Sequence, residues 1–389
     1  MKYSVGIDVS KEHIHACISE IDSTQRVKIK SSHQFANSNK EFALMEQWLN
    51  KHKKQELPLV ICMEATGIYY EKLAYYFHQR NYAVIVLLPS KAKKYLQSLG
   101  LKSKNDKIDA SGLARMAAEQ NLDVWQPMGD YFYKLRQLTR HHEQLQQSKT
   151  VFKNQLHALT HSMFESKEVS KQQKKIIELI EKQIQQIAKS IEKHIKSNEE
   201  VKKKVDNICK IKGVGLLTVA TVIAETNGFA LFNNISQLVS YAGYDVIENQ
   251  SGNHVGKTRI SKKGNSHIRR ILHMPAFITV KYNQGPFADL YNRVFDRTKI
   301  KMKGYVAVQK KLLVYIYVLW TKNEAYNPKQ IKTSGNEEPK SLFLLGSDGV
   351  IIKNGAYEKE IVPINTGTTQ DELPCNESPE ALFLLLKDN

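Results

Sequence analysis

The sequence predicts an N-terminal α/β domain with a mixed sheet, then a long helical hairpin, then a mainly α unit. Three observations carry this. Short apolar or alternating runs separated by helical segments fill residues 1–128; two stretches whose apolar residues step by three and four follow; beyond them come helical segments broken by glycine turns. At 389 residues the chain has room for two or three domains with cores of their own.

The first two segments, "YSVGIDVS" and "HIHACISEI", largely alternate apolar and polar residues, as neighbouring strands of a sheet do. "SNKEFALMEQWLNKH" is helical, "LPLVICMEA" is a short apolar run typical of a buried strand, "IYYEKLAYYFHQRN" is helical again, and "YAVIVLLP" is a second buried strand. Hairpin-like strands followed by alternating strands and helices imply a mixed sheet. Residues 129–204 change period: Leu135, Leu138, His142, Leu145 and Lys149 lie on one stripe, and Ile177, Ile180, Ile184, Ile187 and Ile191 on another. With a polar turn near "ESKEVSKQQ", two long helices form an antiparallel hairpin or a dimerising coiled coil. His142 and Lys149 on the stripe show that the first helix is not a uniform zipper.

Residues 205–327 form the third unit. "ICKIKGVGLLTVATVIAE" resembles a helix-hairpin-helix, in which the turn around Gly213 and Gly215 leaves backbone amides at a helix N-terminus to hold a phosphate. A purely structural Gly-x-Gly turn has the same pattern. Residues 328–389 are an acidic, turn-rich extension with strand-like pieces such as "SLFLLG" and "GVIIK".

The formal net charge is +18, and residues 336–389 hold four Lys/Arg against ten Asp/Glu, so all of the surplus sits on residues 1–335. Such a surplus suits a polyanion, because each cation that neutralises a phosphate releases a counterion. The four cysteines, Cys17, Cys62, Cys209 and Cys375, form no CxxC half-site for zinc and read as scattered, reduced thiols. "MKYSVGIDVS" lacks the apolar core of a signal peptide, and no run approaches a membrane span, so a soluble, intracellular chain without a membrane partner is expected.

Four acids stand out. Asp8 lies on the first strand; Glu64 follows the buried run Leu59 to Met63 and so sits at a strand's C-terminal end, where open α/β sheets gather their sites. Asp106 and Asp109 in "KSKNDKIDASGLARM" are three apart and share a helix face. Converging carboxylates suit two hard divalent cations that clamp the attacking and leaving oxygens of phosphodiester chemistry. Lys102, Lys104 and Lys107 around the pair would draw a nucleic-acid backbone to an acidic centre that otherwise repels it. Each acid also has a structural reading: Asp106 and Asp109 as N-cap and first-turn acids, Asp8 as a turn cap, Glu64 as a strand-end charge.

The second informative stretch is "YAGYDVIENQSGNHVGKTRISKKGNSHIRRILH", which places Ser251 in a glycine-flanked turn among Lys257, Arg259, Lys262, Lys263, Arg269 and Arg270. A serine so placed is either a nucleophile towards phosphorus, given an activating base or metal, or a hydroxyl that contacts phosphate. Ser240, Ser261 and Ser266 are rivals that spacing does not separate from it.

Taken in order, "GIDVSK", "MEATG", "KNDKIDA", "KGVG", "LVSYAGY", "NQSG" and "ISKKGNSHIRRIL" resemble the IS110 family of insertion-sequence transposases from residue 3 to about 325. The resemblance implies a RuvC-like domain of the RNase H type with an Asp-Glu-Asp-Asp tetrad falling on Asp8, Glu64, Asp106 and Asp109, which hold Mg2+ or Mn2+. It implies a C-terminal transposase domain whose nucleophile falls on Ser251, a composite active site formed across subunits of a homo-oligomer, dimer or tetramer, and a covalent phosphoserine link to DNA. The partners it implies are double-stranded donor and target DNA and a noncoding bridge RNA, in a bacterial or archaeal cytoplasm at the nucleoid. Two other functions stay open on the residues alone: a RuvC-like junction nuclease that uses water, with Ser251 only a DNA contact, and a non-catalytic nucleic-acid-binding protein. The acidic extension and Asp245 have no counterpart in the family pattern.

Overall fold

Five strands form the N-terminal sheet in the computed structural model, which describes residues 1–53, 56–100, 103, 105–248, 250–251, 254–256 and 258–327. β1 (Lys2–Val9), β2 (His13–Ile21) and β3 (Val27–Ala36) are an antiparallel meander. After α1 (Asn39–His52), β4 (Leu59–Glu64) joins parallel to β1; after α2 (Glu71–His78), β5 (Ala83–Leu87) joins parallel to β4. α3 (Pro89–Ser98) and α4 (Asp106–Glu119) follow. The order β3-β2-β1-β4-β5, with one antiparallel half and one parallel half, is that of the RNase H-type, RuvC-like domain implied above. β3 has no counterpart among the strands expected from the sequence. Its "VKIKSSHQFA" lies on the sheet edge, mostly exposed, with Phe35 its one buried residue, so no apolar alternation marks it.

Strand pleating divides the sheet residues between two faces. Val5, Ile7, Ile14, Ala16, Ile18, Ile61 and Met63 pack with Phe42, Met45, Leu49, Leu73 and Phe77 of α1 and α2. On the other face α4 lies across the centre: Cys17 packs with Ala110 and Ala114, and Cys62 with Leu113, Met116 and Ala117. Gly6 sits between them in register, paired with Cys17 on β2 and Cys62 on β4. A Cβ there would stand 2.0 Å from the Ala110 carbonyl oxygen and 2.1 Å from the Ala114 nitrogen, so glycine is what admits the helix.

α5 (Asp130–Thr160) and α6 (Lys167–Lys196) pack together as an antiparallel hairpin within the chain. The start of α5 meets the end of α6: Tyr131 stacks on His194, and their side chains and carbonyls exchange two 3.0 Å hydrogen bonds. Farther along, Lys149 lies 3.7 Å from Glu181, and His142 is buried. The turn is shorter than "ESKEVSKQQ" suggested, because the Ser166 side chain caps Val169 N–H and starts α6 at Lys167.

α7 (Glu199–Cys209) and α8 (Leu216–Glu225) are joined by the glycine turn; Gly213 has φ +100°, and Gly215 is the exposed N-cap of α8. α9 (Ile235–Tyr241) leads into short strands β6 (Val246–Ile247), β7 (Gln250–Ser251), β8 (His254–Val255) and β9 (Arg259–Ile260), where β6 pairs with β9 and β7 with β8. α10 (Ser266–Ile271), α11 (His273–Lys281), α12 (Gly285–Thr298) and α13 (Lys301–Lys322) complete a helical unit whose core also takes in Leu135 of α5 and Ile191 and Ile195 of α6. Among the described residues no helix is long and apolar enough to cross a membrane. The acidic extension, 328–389, lies outside the described residues.

Candidate active site

The face of the sheet that α4 covers carries the acids. Asp8 lies two residues beyond Gly6, and Glu64 two beyond Cys62, so pleating turns both towards the α4 side. α4 begins there, with Asp106 as its first residue and Asp109 in its first turn. The cap is neither acid: Asn105 Oδ1 accepts from Ile108 N–H at 2.9 Å, leaving both carboxylates for other work. His15, paired with Asp8 across the β1–β2 ladder, places Nδ1 3.6 Å from Asp106 Oδ2.

Asp8 feels the other three acids. Burial first, then the charges of Asp106, Asp109 and Glu64, push the Asp8 carboxyl up to about 6, against an opposing pull from His15. An all-oxygen donor set under mutual repulsion has the chemistry of a hard divalent-cation site. As placed, with Asp106 61 % exposed and turned to His15, the described residues include no group of three or more His, Cys, Asp or Glu side chains close enough to enclose an ion.

Ser251 is elsewhere in the chain's fold, exposed on the β7–β8 hairpin and paired through its backbone with His254. Of its rivals, Ser261 has its hydroxyl in a turn, donating to Gly243 O and accepting from Lys263 N–H, and Ser266 is the first residue of α10. Asp245 accepts from Ser261 N–H through its carbonyl, as a turn residue does.

The cations differ in their surroundings. Lys107, Arg259, Lys262 and Lys263 are exposed. Arg269 donates to Ala242 O at 2.8 Å and to Asn265 O at 3.3 Å, tying down the base of the serine loop. Arg270 donates to Glu143 of α5 at 2.6 Å. Lys102, Lys104 and Lys257 lie outside the described residues.

Sequence reasoning missed His15 and two acid-centred networks, one buried and one half-buried. The first centres on Glu225, 1 % exposed, which accepts a bidentate pair from Arg140 at 2.7 and 2.8 Å and a further bond from Asn265 Nδ2 at 2.7 Å. Burial raises its pKa, and these partners more than offset that, leaving it below the usual carboxylate value. The second centres on Glu143, 2.6 Å from both His267 Nδ1 and Arg270 Nη1; burial again works upward, but the two partners hold the carboxyl at about 2. Strand pairing across the "SKE" turn is the signal that could have located His15 opposite Asp8; a lone glutamate ending the apolar "LLTVATVIAE" could have flagged Glu225.

Comparisons with known proteins agree with this layout. Residues 5–165 match the DEDD-type IS110 family model, described as a transposase, and residues 205–292 match the model for the transposase IS116/IS110/IS902 family; together they span more than half of the chain. Pilin gene-inverting proteins of Moraxella bovis and Moraxella lacunata are each 27% identical over 332 residues, covering 84% of this chain and 98% of theirs. Among solved structures, RuvC of T. thermophilus with a Holliday junction substrate (14% identity, 30% of this chain and 93% of that one, TM-score 0.23) and the fowlpox virus Holliday junction resolvase (14% identity, 30% and 98%, TM-score 0.24) are similar. At those scores they add nothing to what the strand order itself shows. The protein is a DNA recombinase of the transposase class. Within that class, the chain belongs to the IS110 family.

Proposed function

We propose that this transposase cleaves and rejoins donor and target DNA through a phosphoserine on Ser251, assisted by Mg2+ or Mn2+ held by Asp8, Glu64, Asp106 and Asp109, and guided by a noncoding RNA. The observation that carries the metal-site reading is the raised Asp8 carboxyl, pushed up first by burial and then by its three acidic neighbours, a repulsion that a dication would remove. When bound, the cation would lower the pKa of a coordinated oxygen and stabilise charge on the departing one. Ser251 Oγ gives up its proton and bonds to phosphorus; the P–O bond to one DNA oxygen breaks, and that oxygen leaves as a hydroxyl. Attack by the hydroxyl of another strand reverses these changes and frees the serine, so the phosphodiester energy is kept. Lys107, Arg259, Lys262 and Lys263 supply an exposed positive approach for the backbone.

Denaturing the wild-type protein after incubation with a plasmid carrying its gene and native flanking DNA is expected to trap a covalent protein–DNA adduct, absent from Ser251→Ala and with EDTA. Cleavage at the wild-type rate by Ser251→Ala would instead favour a water-using nuclease. Sequencing RNA that copurifies is expected to return one structured transcript from the flanking DNA; recombination unaffected by its removal refutes the guide.

Assembly is assigned to the α5–α6 hairpin, whose turn exposes Met163 at 89% and Phe164 at 82%. The double variant Met163→Ser/Phe164→Ser is expected to shift the mass measured by light scattering to a smaller species. An unchanged oligomer removes the hairpin end from assembly.

A further inference from the structure

One half-buried face of α5 carries Tyr133, Arg136, Arg140 and Glu143, spaced by three and four residues. At its start, Tyr133 OH donates to Glu71 Oε2 at 2.7 Å and Arg136 Nη2 lies 3.7 Å from Glu71 Oε1. Glu71 begins α2, seven residues after Glu64 at the end of β4. One turn further on, Arg140 holds Glu225, which with Tyr241 and Asn265 gathers both ends of the serine loop: Tyr241 OH donates to Glu225 O at 3.0 Å, and Asn265 N–H to Tyr241 O at 2.7 Å. Glu143 then clamps His267 and Arg270 on α10, just after the loop.

The first half of α5 thus holds Glu71, at the start of the helix that follows the Glu64 strand, and, one to two turns further on, both feet of the Ser251 loop. The bonds are of the kind that hold a position: a bidentate guanidinium–carboxylate pair has both direction and distance, and Glu225 is too buried to exchange it for water. Loss of one partner would leave the loop attached by its backbone but no longer aimed.

We propose that Arg140 and Glu143 are positioning residues for the recombination reaction, setting the Ser251 loop relative to the carboxylate sheet through α5. This rests on the reading of Ser251 as nucleophile. In it, Arg270 acts through Glu143 and not on DNA. The segment of α5 from Tyr133 to Glu143 moves as one body, so each protomer offers its serine and its acids at a fixed separation to a partner subunit.

The test uses the full chain and the plasmid carrying its gene and native flanking DNA. Glu143→Gln keeps the shape and removes the charge; Arg140→Lys keeps the charge and removes the fork. Both are expected to slow adduct formation at saturating protein roughly 10²-fold, the order of effect of a misplacement near 1 Å, with DNA affinity changed less than about twofold. The charge swap Glu143→Arg/Arg270→Glu restores the pair to α10 but not the bond to His267, and is expected to recover part of the rate, a readout that general loosening would not give. Ser251→Ala runs beside them. If it forms no adduct while Glu143→Gln and Arg140→Lys react at the wild-type rate, the positioning role is overturned and the serine reading stands. If Ser251→Ala cleaves normally, both fall. Failure of the swap together with weakened DNA binding by Arg270→Glu alone overturns the proposal in favour of a direct DNA contact.

Discussion

Asp8→Asn is expected to abolish strand cleavage and, without divalent cation, to make the protein more stable. The loss follows from removing the central carboxylate of the proposed site: several kcal/mol of transition-state stabilisation is roughly a 10³-fold fall in rate. The gain follows from the burial of the Asp8 charge and, after it, the repulsion from Asp106, Asp109 and Glu64. In the folded chain its carboxyl holds a proton up to about 6, whereas an unfolded aspartate releases it near 3.9. Folded protein therefore binds the extra proton between those values; Asp8's contribution to stability is complete below about pH 4 and is lost as pH rises through 6. At pH 7.5 the burial cost of the charge and the repulsion both act in full, and asparagine removes both. With a discount for solvent screening of a partly exposed group, about 1 kcal/mol is at stake, a rise of roughly 2 °C in melting temperature. Mg2+ or Mn2+ is expected to raise the melting temperature of the wild type and not of the variant. A variant that cleaves normally, or melts lower at pH 7.5 without metal, contradicts this account of Asp8.

How much of this could be read from the chain alone depends on where the information lies. The strands of "YSVGIDVS", "LPLVICMEA" and "YAVIVLLP" are legible because burial on one or both faces imposes a local apolar pattern. β3 is not, because an edge strand with Lys28, Lys30, Ser31 and Ser32 along it carries no such pattern; its pairing with β2 alone makes it a strand. The four acids were legible as candidates by their places at strand and helix ends. Their mutual influence was not, since it depends on α4 crossing the sheet between residues some hundred positions apart in the chain. Asn105 as the cap of α4 was one residue away from the reading of Asp106 as N-cap, a margin that only the observed hydrogen bond decides. Arg269 and Arg270 looked like their lysine neighbours in a basic run; their partners, Ala242 O and Glu143, come from elsewhere in the chain. Charge runs in sequence show how many cations there are, and tertiary contacts decide which of them are already paired within the chain.

The same crossing of α4 over β1 yields the largest expected effect on stability. In Gly6→Ala the new methyl would meet the Ala110 carbonyl oxygen at 2.0 Å and the Ala114 nitrogen at 2.1 Å, both backbone atoms of α4 that have no rotamer to escape into. The strand cannot yield either, because Gly6 is held in register by Cys17 on one side and Cys62 on the other. The helix must lift, separating Ala110 and Ala114 from Cys17 and opening the small-residue contact along α4. Overpacking of a core costs about 1–3 kcal/mol, and a clash with backbone on a central strand belongs at the upper end or beyond it, a fall of roughly 6 °C or more in melting temperature. Because Asp106 and Asp109 ride on the first turn of that helix, lifting it moves two of the four acids away from Asp8 and Glu64. Cleavage should therefore fall further than the loss of folded protein explains, and the metal-induced rise in melting temperature should shrink. Gly285→Ala is the matched control: at the start of α12 only Asp289 Oδ2 comes within 4.0 Å of the added carbon, and stability and cleavage should stay at wild-type levels. Wild-type melting and cleavage in Gly6→Ala would mean that α4 does not rest on β1 as described, and that the acids are gathered some other way.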